Sequence, residues 1–249
     1  MMAVSTVLYS APQTPLDIIA RLEKTLSSLD SFQADLVQTT FSTSISKPLQ
    51  EKGRIYFKKP DLMRWEYTDP ETYTYVYGEG MLLSYFPEDN QLWRQKISPE
   101  QYETEISALL AGKAHLAEKY VIEPSPFPGA GPNAAQLKLT PKEEGETDYI
   151  LLEIDQKSWM IQRAILFDWA GNKTEYGFSK IKTNPRFSKD QFEIKVPPDC
   201  EIIEDAAPPE KINFFAPRPY KSVRTMCPPW MKTKNLSVAP LEAIEAPSR

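Results

Sequence analysis

Lys52-Gly53-Arg54-Ile55-Tyr56-Phe57-Lys58-Lys59-Pro60-Asp61-Leu62-Met63-Arg64-Trp65-Glu66-Tyr67-Thr68 holds two runs of period two joined by a turn. In the first run Arg54, Tyr56 and Lys58 alternate with Ile55, Phe57 and Lys59. In the second, Leu62, Arg64 and Glu66 alternate with Met63, Trp65 and Tyr67. Successive side chains of a strand point to opposite faces, so Ile55 and Phe57 share one face, Met63, Trp65 and Tyr67 share another, and Arg64 is expected to face water. Lys59-Pro60-Asp61 is a turn signal at hairpin spacing. The stretch therefore predicts two antiparallel strands.

The same period runs outward in both directions. Upstream, Phe32, Ala34 and Leu36 oppose Gln33, Asp35 and Val37, which predicts a strand. It is preceded by a helix that starts at Thr14-Pro15-Leu16-Asp17, where Thr14 can accept from a free N–H, Pro15 suits the first turn and Asp17 favours the positive end of the dipole. Ile18, Ile19, Leu22, Leu26 and Leu29 make that helix amphipathic. Downstream, Tyr73 to Tyr77 and Met81 to Phe86 extend a meander through turn signals at Asp69-Pro70-Glu71 and Gly78-Glu79-Gly80.

Ser98-Pro99-Glu100-Gln101 then spells a capping box, and Tyr102, Ile106, Leu109 and Leu110 supply the apolar stripe of a second helix ending before Gly112. Lys113 to Tyr120 can add a further helical turn, and 124–132 reads as a proline-rich loop. Strand patterns resume at Gln136 to Thr140, Tyr149 to Asp155, Met160 to Asp168, Thr174 to Ile181 and Phe192 to Val196. From Glu204 the alternation stops, and eight of the 23 prolines follow residue 205. A sheet of about ten to eleven twisted antiparallel strands curls. With two to three α-helices over one face it should form an incomplete, open antiparallel β-barrel with a helical lid, a mainly β fold. The expected organisation is a signal remnant or disordered lead over 1–13, the open barrel over 14–205, and a flexible proline-rich tail over 206–249.

Composition narrows the function. A chain of 249 residues, 41% apolar and 11% aromatic, can bury a sizeable core. Its net charge of -5 advertises neither nucleic acid nor an anionic membrane surface. One histidine, His115, and two cysteines, Cys200 and Cys227, are too few for a Cys/His metal site or a dispersed triad. No GxSxG, P-loop or dinucleotide fingerprint is present, and the paired acids Glu143/Glu144 and Glu204/Asp205 sit in polar runs beside turns. No catalytic residue, metal or cofactor is assigned. Cys200 and Cys227 read either as two unrelated thiols or as a disulfide favoured by an oxidising compartment. Met1 to Ala11 is mildly apolar but lacks a basic n-region and a small-x-small cleavage site.

Phe32-Gln33-Ala34-Asp35-Leu36-Val37-Gln38 after an amphipathic helix, Gly53 through Tyr56, and Lys58 through Tyr67 together resemble the outer-membrane lipoprotein carrier (LolA) family. Gly80 through Pro87, Leu137 through Lys142 and Asp190-Gln191-Phe192-Glu193-Ile194-Lys195-Val196-Pro197 follow in the family's order, so the resemblance covers about 15–205. It implies a periplasmic chaperone that carries the acyl chains of lipoproteins. Its partners would be acylated lipoproteins, an inner-membrane lipoprotein-releasing transporter and an outer-membrane acceptor, with the carrier itself a monomer that binds no nucleic acid. Composition and periodicity leave a filled core and a cavity as alternatives; the resemblance favours a cavity.

On that reading the acyl-chain cavity is expected at Leu36, Ile55, Phe57, Met63, Trp65, Tyr67, Leu83, Tyr85, Leu139, Ile165 and Phe167, and the lid contacts at Lys59, Tyr102, Ile106, Leu109 and Leu110. The family's motif has an arginine before the proline that holds the lid through helix carbonyls. Here that position is Lys59, whose ammonium lacks the planar fork of a guanidinium. Two other readings stay open: a lipidated outer-membrane acceptor, which the lack of a cysteine before Cys200 disfavours, and a regulatory or scaffolding module that binds protein. For the latter, Phe214-Phe215, Tyr220 and Trp230 in the tail would be docking points; the alternative is a solvated tether.

Overall fold

The computed structural model describes residues 13–43, 46–98 and 105–204. The lead, Cys227, Tyr102, most of the second helix's capping box and the proline-rich tail lie outside them. Helix α1 (Pro15–Ser28) begins where the sequence predicts: the Asp17 N–H donates to Thr14 Oγ1 at 3.2 Å and the Thr14 N–H to Asp17 Oδ2 at 3.0 Å, a reciprocal capping box. It buries Ile18, Ile19, Leu22 and Leu26 and leads directly into β1 (Ser31–Phe41).

Strands β2 (Leu49–Lys58), β3 (Leu62–Asp69), β4 (Tyr73–Gly78), β5 (Met81–Phe86) and β6 (Gln91–Lys96) form an antiparallel meander from β1. Helices α2 (Glu105–Leu110) and α3 (Leu116–Lys119) follow. A second antiparallel meander comprises β7 (Tyr120–Pro124), β8 (Ala134–Pro141), β9 (Thr147–Asp155), β10 (Met160–Asp168) and β11 (Lys173–Thr183). A last strand, β12 (Glu201–Glu204), pairs parallel with β6. Because β11 returns to pair with β1, the two meanders make one sheet of twelve strands among the described residues, in the order β12-β6-β5-β4-β3-β2-β1-β11-β10-β9-β8-β7. The sheet does not close: β7 and β12 are its edges. The fold is mainly β, an open, curled sheet with three helices among the described residues.

The strands differ from expectation in two ways. Phe192 to Val196 forms no strand; the chain there crosses the outside of the sheet, where Phe187 meets Tyr56 edge-on at 5.9 Å and Arg64 Nη1 donates to the Glu193 carbonyl at 3.2 Å. The alternation there belongs to a strap that leads into β12. Strands β6, β7 and β12, in turn, have no clean apolar alternation, because β6 is polar at four of its six positions and β7 and β12 are short edges. Arg64 is on the outer face as expected, yet the strap covers it and leaves its side chain 15% exposed.

Candidate functional site

Strand register assigns each side chain a face. Rows of directly opposed residues run across the inner face: Phe32, Phe57, Met63, Tyr77 and Leu82 form one, and Ala34, Ile55, Trp65, Tyr75 and Ser84 the next. A third joins Phe178, Leu36, Gly53, Tyr67 and Tyr73. Past β11 the face continues through Tyr176, Ala164, Leu152 and Leu137, and through Leu166, Ile150, Leu139 and Ile122. These residues, with the apolar sides of α1 and α2, form one hydrophobic cluster. The inner face is an apolar surface broad enough to span both meanders.

Of the eleven residues expected in the cavity, Leu36, Ile55, Phe57, Met63, Trp65, Tyr67 and Leu139 lie together on this face, all at most 2% exposed. Leu83, Tyr85, Ile165 and Phe167 do not. Leu83 pairs with Val76 and Tyr85 with Thr74, on the outer face, while Leu82 and Ser84 point inward. The Gly78–Met81 pairing sets this parity, and with apolar residues at 81, 82 and 83 the alternation alone is ambiguous. In β10 an irregularity between Ile161 and Arg163 shifts the register, so Ala164 and Leu166 face inward and Ile165 pairs outside with Leu151 and Glu175. Phe167 stacks on Tyr149 at 4.3 Å on the same outer side. The cavity assignment also omits Tyr73, Tyr77, Tyr176 and Phe178. The odd-numbered tyrosines of Tyr73-Thr74-Tyr75-Val76-Tyr77 carried the signal, since they keep phase with Trp65 and Tyr67 across the pair.

The cover is held from several directions. Ile106, Leu109 and Leu110 of α2 are 1%, 2% and 4% exposed within the cluster; Tyr102 lies outside the described residues. Lys59 is half-buried at the end of the β2 ladder, and its ammonium donates to the carbonyl of Ser27 in the last turn of α1. A cation there also answers the negative end of the helix dipole. The Leu116 N–H donates to Glu23 Oε1 at 2.6 Å, tying α3 to the middle of α1. Gly112, with φ at +70°, lets the chain pass so close to α1 that a Cβ would sit 3.1 Å from Leu26 and Ser27 atoms. His115 precedes α3 and its carbonyl accepts from Glu118 and Lys119 N–H groups.

One end of the inner face is polar. The Tyr67 hydroxyl donates to Gln38 Oε1 at 2.6 Å, and the Tyr73 hydroxyl donates to Glu51 Oε1. The two rings stack with centroids 4.5 Å apart. Burial pushes the Glu51 carboxyl above its usual range, the Tyr73 hydrogen bond opposing the shift and the charge of Glu71 adding to it. Burial likewise raises the Tyr67 and Tyr73 hydroxyls, so both act as neutral donors. Among the described residues no cluster of three or more His, Cys, Asp or Glu side chains could hold a metal ion, and no helix is long and apolar enough to cross a membrane. The arrangement presents apolar area with a few buried hydrogen-bonding groups.

Comparison with known proteins agrees with this geometry. The family model described as Outer membrane lipoprotein carrier protein LolA matches residues 27–195. The outer-membrane lipoprotein carrier protein of Pseudomonas aeruginosa is 23% identical over 187 residues, covering 75% of this chain and 88% of that one. That of Neisseria meningitidis is 22% identical over 204 residues, covering 82% and 95%. Among solved structures, an uncharacterized conserved protein from Thermus thermophilus superposes with a TM-score of 0.51 at 18% identity, over 78% of this chain and all of that one, a likeness of fold. With its lidded, open sheet and a family match spanning most of its length, this chain belongs to the outer membrane lipoprotein carrier protein LolA family.

Proposed function

We propose that this chain is a periplasmic chaperone that takes the acyl chains of lipoproteins onto the inner face of its sheet and carries them from the inner to the outer membrane. It would receive them from an inner-membrane releasing transporter and yield them to an outer-membrane acceptor, and no reaction is assigned to it. The observation that carries the reading is the continuous apolar inner face, covered by helices rather than by a second sheet.

The energetics suit a carrier. Burying a methylene is worth about 0.8 kcal/mol, so an acyl chain of about 16 carbons gains on the order of 10 kcal/mol when fully covered. Helix α1 buries Ile18, Ile19, Leu22 and Leu26 against the same face, worth roughly 6–12 kcal/mol at about 1.5–3 kcal/mol per side chain. Displacing the helix therefore offsets most of what the acyl chain gains. Cargo enters by exchange with the lid and leaves the same way, which prevents irreversible capture. Tyrosine, tryptophan and methionine on the face accept several chain shapes because few hydrogen bonds have to be matched.

Native mass spectrometry with lipid extraction after gentle purification tests the reading. Co-purified acylated protein or lipid, lost when Met63 is replaced by Glu, is the expected result. A cargo-free chain in a stable complex with a non-acylated protein would replace it with the scaffolding reading.

A further inference from the structure

The inner face contains polar atoms that the apolar reading does not use. Buried polar groups are nearly always hydrogen-bonded, since leaving one unpaired forfeits its hydration. Gln38, Glu51, Tyr67 and Tyr73 satisfy each other in part, as described above. Beside them on the β1–β2 ladder, Thr40 Oγ1 and Glu51 Oε2 are shielded from solvent and have no hydrogen-bond partner among the described residues. Their residues are 7% and 5% exposed.

Register puts these atoms in one place. Gln38 opposes Glu51 across the β1–β2 ladder and Thr40 opposes Leu49, so Thr40 and Glu51 are diagonal neighbours on the inner face. Such pairs lie about 7–8 Å apart, within reach of a single ligand group. Tyr176 opposes Gln38 from β11, and the stacked rings of Tyr67 and Tyr73 stand on the side of β3 and β4. The unpaired atoms thus sit at the border between the hydrocarbon-like surface and the end of the β1–β2 ladder.

We propose that Thr40 and Glu51 form a polar subsite that binds the carbonyl oxygen of an acyl chain's ester or amide linkage, while the apolar rows take the hydrocarbon. The inference rests on the acyl-chain reading above. Burial shifts Glu51 toward the carboxyl form that carries a hydroxyl, and Tyr73 already donates to Oε1, which leaves Oε2 as the oxygen open to a ligand. The Thr40 hydroxyl is a second free donor. On diagonal positions of one face, the Thr40 hydroxyl and the protonated Glu51 carboxyl together match a carbonyl oxygen, which has two lone pairs and no proton. A bare alkyl chain would leave both unpaired. The subsite fixes how far a chain can slide along the face and distinguishes its linked end from its methyl end.

The test compares two ligands of matched length, methyl palmitate and heptadecane, by displacement of a fluorescent hydrocarbon probe from the full chain. For each ligand the ratio of variant to wild-type affinity is taken, which cancels the ligands' different partitioning into water. Thr40→Val should weaken methyl palmitate about fivefold and Thr40→Val with Glu51→Leu about tenfold or more, with heptadecane unchanged within about twofold. Glu51→Gln, which keeps a donor, should retain most of the ester affinity and guards against a double variant that folds poorly. Equal ratios for the two ligands in every variant would overturn the subsite while leaving acyl-chain binding intact. Failure of both ligands to displace the probe from wild type would overturn the acyl-chain reading and this inference with it.

Discussion

Replacing Lys59 by Leu removes a cation that bonds the end of α1, and the structure sets the size of the effect. The Lys59 ammonium donates a hydrogen bond to the Ser27 carbonyl from a half-buried position. A bond to a charged group contributes about 1.5–3 kcal/mol when shielded, and a cation at an exposed helix C-terminus about 0.3–1 kcal/mol, so about 1 kcal/mol is reasonable here. Against this, the four buried side chains of α1 contribute several times more. The variant should therefore keep α1 docked while raising the open population, and with it release of a labelled acyl probe, about fivefold. Lys59→Arg should change release by less than about twofold, despite the greater hydrogen-bonding capacity of a guanidinium. The nearby carbonyls are already taken: Lys24 and Thr25 accept from the Ser27 and Ser28 hydroxyls, and Leu26 accepts from the Leu29 N–H. Stopped-flow release and hydrogen exchange of the α1 amides measure both effects. Unchanged release and exchange in Lys59→Leu would refute the latch, and a hundredfold increase would show that apolar packing of α1 contributes far less than its burial implies.

Three other perturbations follow from the geometry. Met63→Glu, at a position 2% exposed, should cost several kcal/mol in urea denaturation and abolish acyl-probe binding, whereas Tyr85→Glu on the outer face should leave binding within about twofold; equal losses would mean the inner face is misassigned. Gly112→Ala must place a Cβ at φ +70° against α1, so it should lower the midpoint of thermal unfolding by the equivalent of about 1–2 kcal/mol, and an unchanged midpoint would show that α1 is not closely packed there. Glu51 has a raised pKa in the folded state, so both states are protonated below its ordinary value of 4.5 and stability is lost as pH rises from there through the folded value. Relative to wild type, Glu51→Gln should therefore gain stability as pH rises above about 4.5, and parallel pH profiles would place the Glu51 carboxyl in water.

Much of this was legible in the sequence where one physical signal acted alone. The capping box at Thr14 and Asp17 fixes the start of α1, and alternation over Ile55 to Tyr67 gives the inner face because each strand there has one apolar side. Parity failed where both sides are apolar: Leu82 and Leu83 differ in face only through the turn that pairs Gly78 with Met81, and the register shift before Arg163 inverts the reading of Ile165 and Phe167. The strap was invisible for another reason. Phe192-Glu193-Ile194-Lys195-Val196 alternates as a strand does, but its neighbours are outer-face side chains reached across more than a hundred residues, as in the Arg64 to Glu193 bond. The partnership of Gln38, Glu51, Tyr67 and Tyr73 likewise depends on three-dimensional register, which no local pattern encodes.

The pairing of β1 with β11 has a consequence for how the chain comes together. Every other antiparallel ladder among the described residues joins strands consecutive in sequence, whereas this seam brings the start of the first meander to the end of the second. At its base the Asn184 side chain accepts from the Asp30 N–H across 154 positions. Bringing such distant segments into register carries a large loop-closure entropy, so the seam should set the folding rate. Until residues 173–183 arrive, β1 presents an open edge beside Phe32, Ala34 and Leu36. A chain emerging from its amino end would thus hold a half-built, adhesive sheet for most of its synthesis, and its need for holding factors would end only when β11 docks.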